Sequence, residues 1–184
     1  MRPKFLTLFL ICFLLNHLSK AQDKTSDLRK PDLINIGPGL GFDYGGIGIN
    51  IMAYPQKNIG FFFGGGYAFA GFGYNAGFKF RLSPDRGTSV NPFFMAMYGY
   101  NAAVSISGSP EFDKIFYGPT LGAGIDIRSK KLSSKGYLSL ALTVPIRNSD
   151  AQNYIDLLKN QYGATFSNDL LPVGFSIGYK FIMN

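Results

Sequence analysis

Tryptophan is absent from the 184-residue chain, and cysteine and histidine occur once each, at Cys12 and His17. Charged residues make up only 16% of the chain, against about 25% in an average soluble domain. Removal of the first 21 residues would leave neither a thiol nor an imidazole. Disulfides, thiolate nucleophiles and histidine catalysis or ligation are then excluded. We therefore predict a protein that is not an enzyme and holds no cofactor and no metal ion.

The first 21 residues have the features of a signal peptide. An apolar run over 5–15 follows Arg2 and Lys4, and Ser19-Lys20-Ala21 places small residues where a signal peptidase cleaves. The run is too short for a membrane-spanning helix, which needs about 20 residues. We predict cleavage near Ala21 and a short flexible periplasmic lead-in over 22–31. Cleavage leaves 15 basic and 11 acidic residues, a balance that predicts no nucleic-acid partner.

Later segments lack the long apolar runs of helical membrane spans. Apolar residues instead recur at every second position, which is the period of a β-strand. The pattern does not settle the phase of the fifth strand, because Phe93, Met95 and Met97 make both of its faces apolar. Eight strands are predicted, at 34–43, 46–54, 59–70, 72–82, 92–106, 116–128, 137–146 and 172–182.

Charge distinguishes the two faces of these strands. The apolar phase contains no Lys, Arg, Asp or Glu, whereas the opposite phase is rich in glycine and carries the few charges. A Lys or Arg at the middle of a bilayer costs about 2–4 kcal/mol, and a sheet that spans a bilayer must close to pair its edges. We therefore predict an all-β fold over 32–184, an eight-stranded antiparallel up-and-down transmembrane β-barrel with its apolar phase toward lipid.

The lumen phase contains two groups of candidate functional residues. Buried charges need partners, so the ionic residues are predicted to form a polar network across the lumen. Apolar residues on the same phase suggest a lumen that accepts apolar solutes. The network residues are Asp43, Lys79, Arg81, Asp126, Arg128 and Lys180, and the possible apolar lumen residues are Phe62, Phe93, Met95, Met97 and Phe116.

One segment departs from the strand period. Ser149-Asp150-Ala151-Gln152 matches a capping box and Gly163 a helix stop, which predicts a helix of about 13 residues in the last outer loop. Its apolar face either rests on the barrel rim or gates the mouth and grips a partner. The residues that define this face are Tyr154, Ile155, Leu158 and Tyr162.

Tyrosine residues lie mostly near the ends of the predicted strands. Amphipathic rings favour the boundary between lipid and water, so we expect these side chains at the membrane interface. They are Tyr44, Tyr54, Tyr67, Tyr74, Tyr117, Tyr137 and Tyr179.

From Leu33 to Met183 the chain resembles small outer-membrane β-barrels of the OmpA-type and OmpX-type class. Residues 176–183 are similar to the C-terminal assembly signal of that class, with Gly178, Tyr179 and Phe181 at matching positions. The class usually ends on an aromatic residue, whereas this chain ends on Met183-Asn184. Its glycine- and tyrosine-rich strands resemble barrels of Bacteroidetes-type bacteria. The resemblance implies a porin-like protein of a Gram-negative outer membrane, with outer-membrane lipid and the barrel-assembly machinery as partners.

Three functions are compatible with the sequence. The first is a non-enzymatic outer-membrane barrel with a structural or surface-interaction role, which would contact a ligand or partner through the outer loops 107–115 and 147–171. The second is a narrow channel for small apolar solutes. The third is a soluble lipid-binding barrel, which would turn its apolar phase inward.

Overall fold

The computed structural model describes residues 33–83, 89–106, 109–129, 135–147, 149–162 and 170–183. Eight antiparallel strands form one closed barrel, in which each strand pairs with its chain neighbours and β8 pairs with β1. This confirms the predicted fold. The predicted signal peptide and lead-in lie outside the described residues. The strands are β1 (Ile34–Gly41), β2 (Gly46–Ala53), β3 (Ile59–Tyr67), β4 (Phe72–Arg81), β5 (Val90–Val104), β6 (Lys114–Arg128), β7 (Gly136–Pro145) and β8 (Gly174–Met183).

Large apolar side chains point away from the barrel, as alternation in the strands predicts. Along β4, for example, Phe78 is 50% exposed and its neighbour Lys79 is 2% exposed. We call the outward residues the apolar belt. Its members are Ile34, Leu40, Ile47, Ile49, Ile51, Phe61, Phe63, Tyr67, Phe72, Tyr74, Phe78, Phe80, Val90, Phe94, Tyr98, Tyr117, Leu121, Leu142, Val144, Phe175, Ile177, Tyr179, Phe181 and Met183.

The barrel wall extends further at one end than at the other. β5 and β6 contain 15 residues each, against 8 to 10 in the other strands. Their hairpin therefore projects at the end that also carries the β1–β2 and β3–β4 connections. We call this the helix end, because the helix between β7 and β8 also lies there. The opposite end, where β1 begins and β8 finishes, is the terminal end.

A β-bulge in β5 determines the facing of its residues. In the part of β5 that precedes the bulge, Met95 and Met97 are buried and Phe94 is exposed. Odd-numbered residues therefore face the lumen there. The pairing with β6 shifts between Tyr100 and Ala102. An extra residue in one strand reverses the alternation beyond it. Ala102 and Val104 are consequently buried beyond the shift. The ring of Tyr100, the last residue before the shift, lies 5.3 Å from the Phe42 ring.

The helix α1 (Ser149–Tyr162) lies between β7 and β8, as predicted, and has 14 residues. Ile155 and Leu158 are buried in a cluster with Val104, and Phe116 packs against that cluster. Tyr154 donates a hydrogen bond to the backbone oxygen of Phe112 at 2.9 Å. The apolar face of α1 is thus covered by the projecting β5–β6 hairpin. The side chain of Tyr162 and the predicted stop at Gly163 lie outside the described part of the chain.

No helix among the described residues has the length and apolar character needed to cross a membrane.

Candidate functional site in the barrel lumen

The connection between β1 and β2 folds into the lumen instead of extending outward. It contains a single-turn 3-10 helix, Phe42–Tyr44, which we call the plug. Gly41 precedes it with φ 135° and Gly45 follows it with φ 68°. Because these conformations favour glycine, they let the chain leave β1, turn inward and enter β2. Asp43 and Tyr44 are buried as a result.

Lumen side chains hold the backbone of the plug. Asn50 Nδ2 donates to the backbone oxygen of Asp43 at 2.5 Å, and Asn75 Nδ2 donates to that of Phe42 at 2.8 Å. The Phe42 oxygen also accepts a hydrogen bond from the backbone N–H of Gly45 at 2.9 Å, so the two amides add to the bonding of buried carbonyl groups. The plug is therefore an ordered part of the barrel interior.

The side chain of Asp43 is paired inside the lumen. Ser176 Oγ donates to the Asp43 carboxylate at 2.6 Å. Burial raises the pKa of the Asp43 carboxyl, while the charge of Lys180 and the hydrogen bond from Ser176 oppose that rise. The Lys180 ammonium lies 4.4 Å from the centre of the Tyr44 ring, a cation–π distance. Asp43 and Lys180 thus belong to the plug region.

The ring of Tyr44 fills a space that two facing glycines leave open. Gly39 of β1 pairs with Gly178 of β8. A Cβ atom added at either glycine would overlap the Tyr44 ring. The absence of side chains at these two positions therefore lets the plug reach the barrel wall.

Gly178→Ala is expected to lower the yield of folded barrel, because the added methyl group displaces Tyr44 and crowds Pro38. The second variant, Tyr44→Ala with Gly178→Ala, should recover part of that loss. The two variants are compared by the fraction of chain that is folded after refolding into detergent, which heat-dependent gel mobility measures. If Gly178 acts only in the predicted assembly signal, removal of the Tyr44 ring will recover nothing.

A buried ionic cluster lies nearer the terminal end of the barrel. Lys79 Nζ is 2.6 Å from Asp126 Oδ1, and Arg81 Nε is 3.1 Å from Asp126 Oδ2. Lys79 also donates to Ser139 Oγ at 3.2 Å. All three charged side chains are nearly inaccessible to solvent. Two cations thus share one carboxylate in the lumen.

Aromatic faces surround these cations. The Phe93 ring centre is 3.5 Å from Lys79 Nζ, and the Tyr54 ring centre is 4.0 Å from Arg81 Cζ. Rings at these distances attract cations through their electron-rich faces. They supplement the charge of the single carboxylate.

Tyr137 links further charges to this cluster. Its ring centre is 5.1 Å from Arg81 Cζ and 5.3 Å from Arg128 Cζ, and it is the cross-strand partner of Lys180. The six predicted network residues therefore face the lumen in two regions. Asp43 and Lys180 lie at the plug, and the other four lie around Asp126 and Tyr137.

The structure corrects the predicted position of Asp43. The residue was expected at the end of the first strand, over 34–43, but β1 ends at Gly41 and Asp43 belongs to the plug. The left-handed glycines on either side of the plug explain the difference.

The apolar lumen residues also divide into two groups. Phe62, Phe93, Met95 and Met97 form one buried cluster, which also contains Met52, Tyr54 and Ala141. Phe116 lies elsewhere, against the cluster beneath α1, and its ring is 5.8 Å from that of Tyr154. The prediction for Phe116 is wrong because β6 extends past the barrel body, so a lumen-phase position there faces the helix.

Three tyrosines expected at the membrane interface are buried in the lumen instead. Tyr44, Tyr54 and Tyr137 are each at most 3% exposed. The plug carries Tyr44 inward, and Tyr137 occupies the lumen phase of β7. The other four, Tyr67, Tyr74, Tyr117 and Tyr179, are exposed.

Several buried polar residues were not among the sequence candidates. Their signal was available, since each lies on the lumen phase of its strand, but alternation cannot show which of them will touch an inward-folded connection. Besides Asn50, Asn75, Ser139 and Ser176, they are Asn35, Asn91, Asn101, Thr120 and Thr143.

The arrangement is suited to holding the barrel interior together. Its cations are paired with a carboxylate or covered by rings, and the amides of Asn50 and Asn75 hold the plug. Over the described ranges, no three His, Cys, Asp or Glu side chains lie close enough together to hold a metal ion.

The fold and the lumen define a closed, eight-stranded antiparallel β-barrel whose interior is packed by its own side chains and by one connection. No family model and no curated protein matches the chain. Among solved structures, it is similar to the N-terminal β-barrel domain of OprF from Pseudomonas aeruginosa, with 11% identity and a TM-score of 0.44, over 80% of this chain and 96% of that chain. The fold assignment rests on the strand pairing in this chain.

Proposed function

We propose that this chain is a non-enzymatic outer-membrane β-barrel with a structural or surface-interaction role. The observation that carries the proposal is the separation of charge from the apolar belt. Six charged residues occur in the strands; Lys114 lies at the projecting tip of β6, and the other five lie on the lumen phase. Water-facing surfaces normally contain about 25–35% charged residues. An uncharged belt on a closed sheet is suited to lipid.

The packed lumen supports a barrel that does not conduct. The plug, the ionic cluster and the buried Phe and Met residues occupy its interior, so we do not favour the channel for apolar solutes. The soluble lipid-binding barrel requires the apolar phase to face inward, which is the reverse of the facing of Phe78 and Lys79.

We further propose that the helix end is the contact surface for a partner. The β5–β6 hairpin projects there, and α1 covers its apolar side while exposing Gln152, Asp156 and Lys159. A polar, structured projection is suited to contact with other molecules in water. The barrel-assembly machinery is a second proposed partner, through Gly178, Tyr179 and Phe181.

Reconstitution into liposomes tests this function. The chain is expected to float with the vesicles in a density gradient after an alkaline wash, because its belt needs lipid. In planar bilayers made from the same preparation, it is expected to produce no conductance steps, because its lumen is filled.

A variant with fewer side chains in the lumen provides the matched control. Phe62→Ala with Phe93→Ala removes two rings from the buried cluster and should produce measurable leak, which shows that insertion occurs and that the assay detects it. Chain that remains in the aqueous fractions contradicts the membrane assignment. Regular conductance steps from the unaltered chain contradict the closed lumen.

A further inference from the structure

A small cavity opens at the helix end of the barrel, beside the plug. It has a volume of about 160 Å³, below the size of pockets for drug-like ligands. Leu40 and Phe175, two exposed residues of the apolar belt, line it together with Phe42 and Tyr100. None of the lining residues carries a charge. The cavity is therefore suited to a short apolar group.

The cavity results from the way the barrel wall ends. The ladder between β1 and β8 stops at the Leu40–Ile177 pair. Above that pair, the Phe42 ring occupies the space that a Cβ at Gly174 would fill. The ring of Tyr100, the residue before the bulge in β5, lies against Phe42. The plug thus leaves a gap beside Leu40 and Phe175 of the apolar belt.

Phe69 borders the cavity in an uncommon conformation. Its φ of 62° makes it the non-glycine residue with positive φ among those described, a conformation rare for bulky side chains. The Tyr67 hydroxyl donates to the backbone oxygen of Phe69 at 3.1 Å, and the Phe69 ring is 62% exposed. The strained turn thereby keeps an aromatic ring at the edge of the cavity.

We propose that this cavity binds the first part of one acyl chain, next to the glycerol, of an anionic phospholipid. Leu40 and Phe175 are 45% and 52% exposed and belong to the apolar belt, so the cavity opening is continuous with the surface that the proposed function places in lipid. The inference rests on that function. It adds a defined position on the belt where one chain is held.

Arg147 provides charge complementarity near the same place. Its Nε donates to the backbone oxygen of Asn101, the neighbour of Tyr100, at 3.2 Å, and its Nη1 donates to that of Leu171 at 2.7 Å. Both acceptors are neutral carbonyls, and among the described residues no carboxylate forms an ion pair with this guanidinium. A lipid phosphate is a preferred partner for such a group.

Photolabelling of the full chain in phosphatidylcholine nanodiscs tests the inference. The probe is phosphatidic acid with a diazirine near the glycerol end of one acyl chain. Adducts at Tyr100 and Phe42 are expected to exceed those at Leu121, a belt residue on β6, by about five-fold, the size of effect that a modest preference gives. This comparison uses the unaltered chain, so the distribution of adducts over its residues tests the inference without any substitution.

Three variants sharpen the test. Phe69→Gly suits the positive φ and should lower adduct formation at Tyr100 by about five-fold. Phe94→Ala removes a similarly exposed ring, 56% accessible, and should leave it unchanged. Arg147→Gln should reduce labelling by phosphatidic acid and leave labelling by a diacylglycerol with the same diazirine chain unaltered.

Even labelling around the belt, with Tyr100 and Phe42 unlabelled, overturns the inference and leaves the proposed function intact. Absence of adducts from the whole belt overturns the proposed function and the inference with it.

Discussion

Phe78→Arg is expected to reduce the free energy of unfolding in lipid by about 2–4 kcal/mol, the cost of placing arginine near the middle of a bilayer. Phe78 is half-exposed on the outer face of β4, between Phe61 of β3 and Ala96 of β5. The guanidinium must therefore enter hydrocarbon or pull the strand out of place. Urea unfolding of the barrel in phospholipid vesicles, followed by tyrosine fluorescence, measures the loss.

The control is the same substitution at the end of the same strand. Phe72 is 68% exposed and begins β4 at the helix end, so Phe72→Arg should cost about 0–1 kcal/mol because the charge reaches the interface. Equal losses at the two positions would show that depth in a bilayer plays no part. A lumen position does not provide this control: Asn75 is fully buried and donates to the plug, although alternation alone suggests that arginine would be tolerated there.

Asp126→Asn is expected to destabilise the barrel by about 3–5 kcal/mol, because it leaves buried cations without their carboxylate. Lys79 and Arg81 both contact Asp126, at 2.6 Å and 3.1 Å. The aromatic faces around them remain but cannot replace a full negative charge. The same vesicle unfolding measurement gives the value.

Glu111→Gln is the matched removal of a carboxylate at an exposed position near α1. Its effect should stay within about 0.5 kcal/mol, as for most surface substitutions. A similarly small effect of Asp126→Asn would mean that the ionic cluster contributes little to stability.

Much of the barrel could be predicted from the sequence because its signal is local. In β4, β7 and β8, alternation of apolar with small or polar residues gives both the strand and its facing. The same holds for α1, whose helical spacing contrasts with the strands around it. The plug could not be predicted in this way, since Asp43-Tyr44-Gly45-Gly46 is also a typical turn between two strands.

The lumen residues were predicted individually, but their contacts were not. The cross-strand partner of Lys79 in β5 is Met95, which pairs with Gly122 of β6, yet Lys79 reaches Asp126 further along β6. Such contacts depend on the tilt of the strands and on side-chain length, which alternation does not encode. Alternation does not encode the bulge after Tyr100 either. One extra residue there changes the facing of the strand beyond it.

Spin labels attached to single cysteines at each position from 72 to 81, with Cys12 changed to serine, test the membrane assignment most directly. In vesicles, labels at even positions such as 76 and 78 should be accessible to oxygen and protected from a water-soluble nickel reagent. Labels at odd positions such as 77 should be largely shielded from oxygen. Reversal of this two-residue pattern, or access of the nickel reagent to the even positions, would contradict the placement of the apolar belt in lipid.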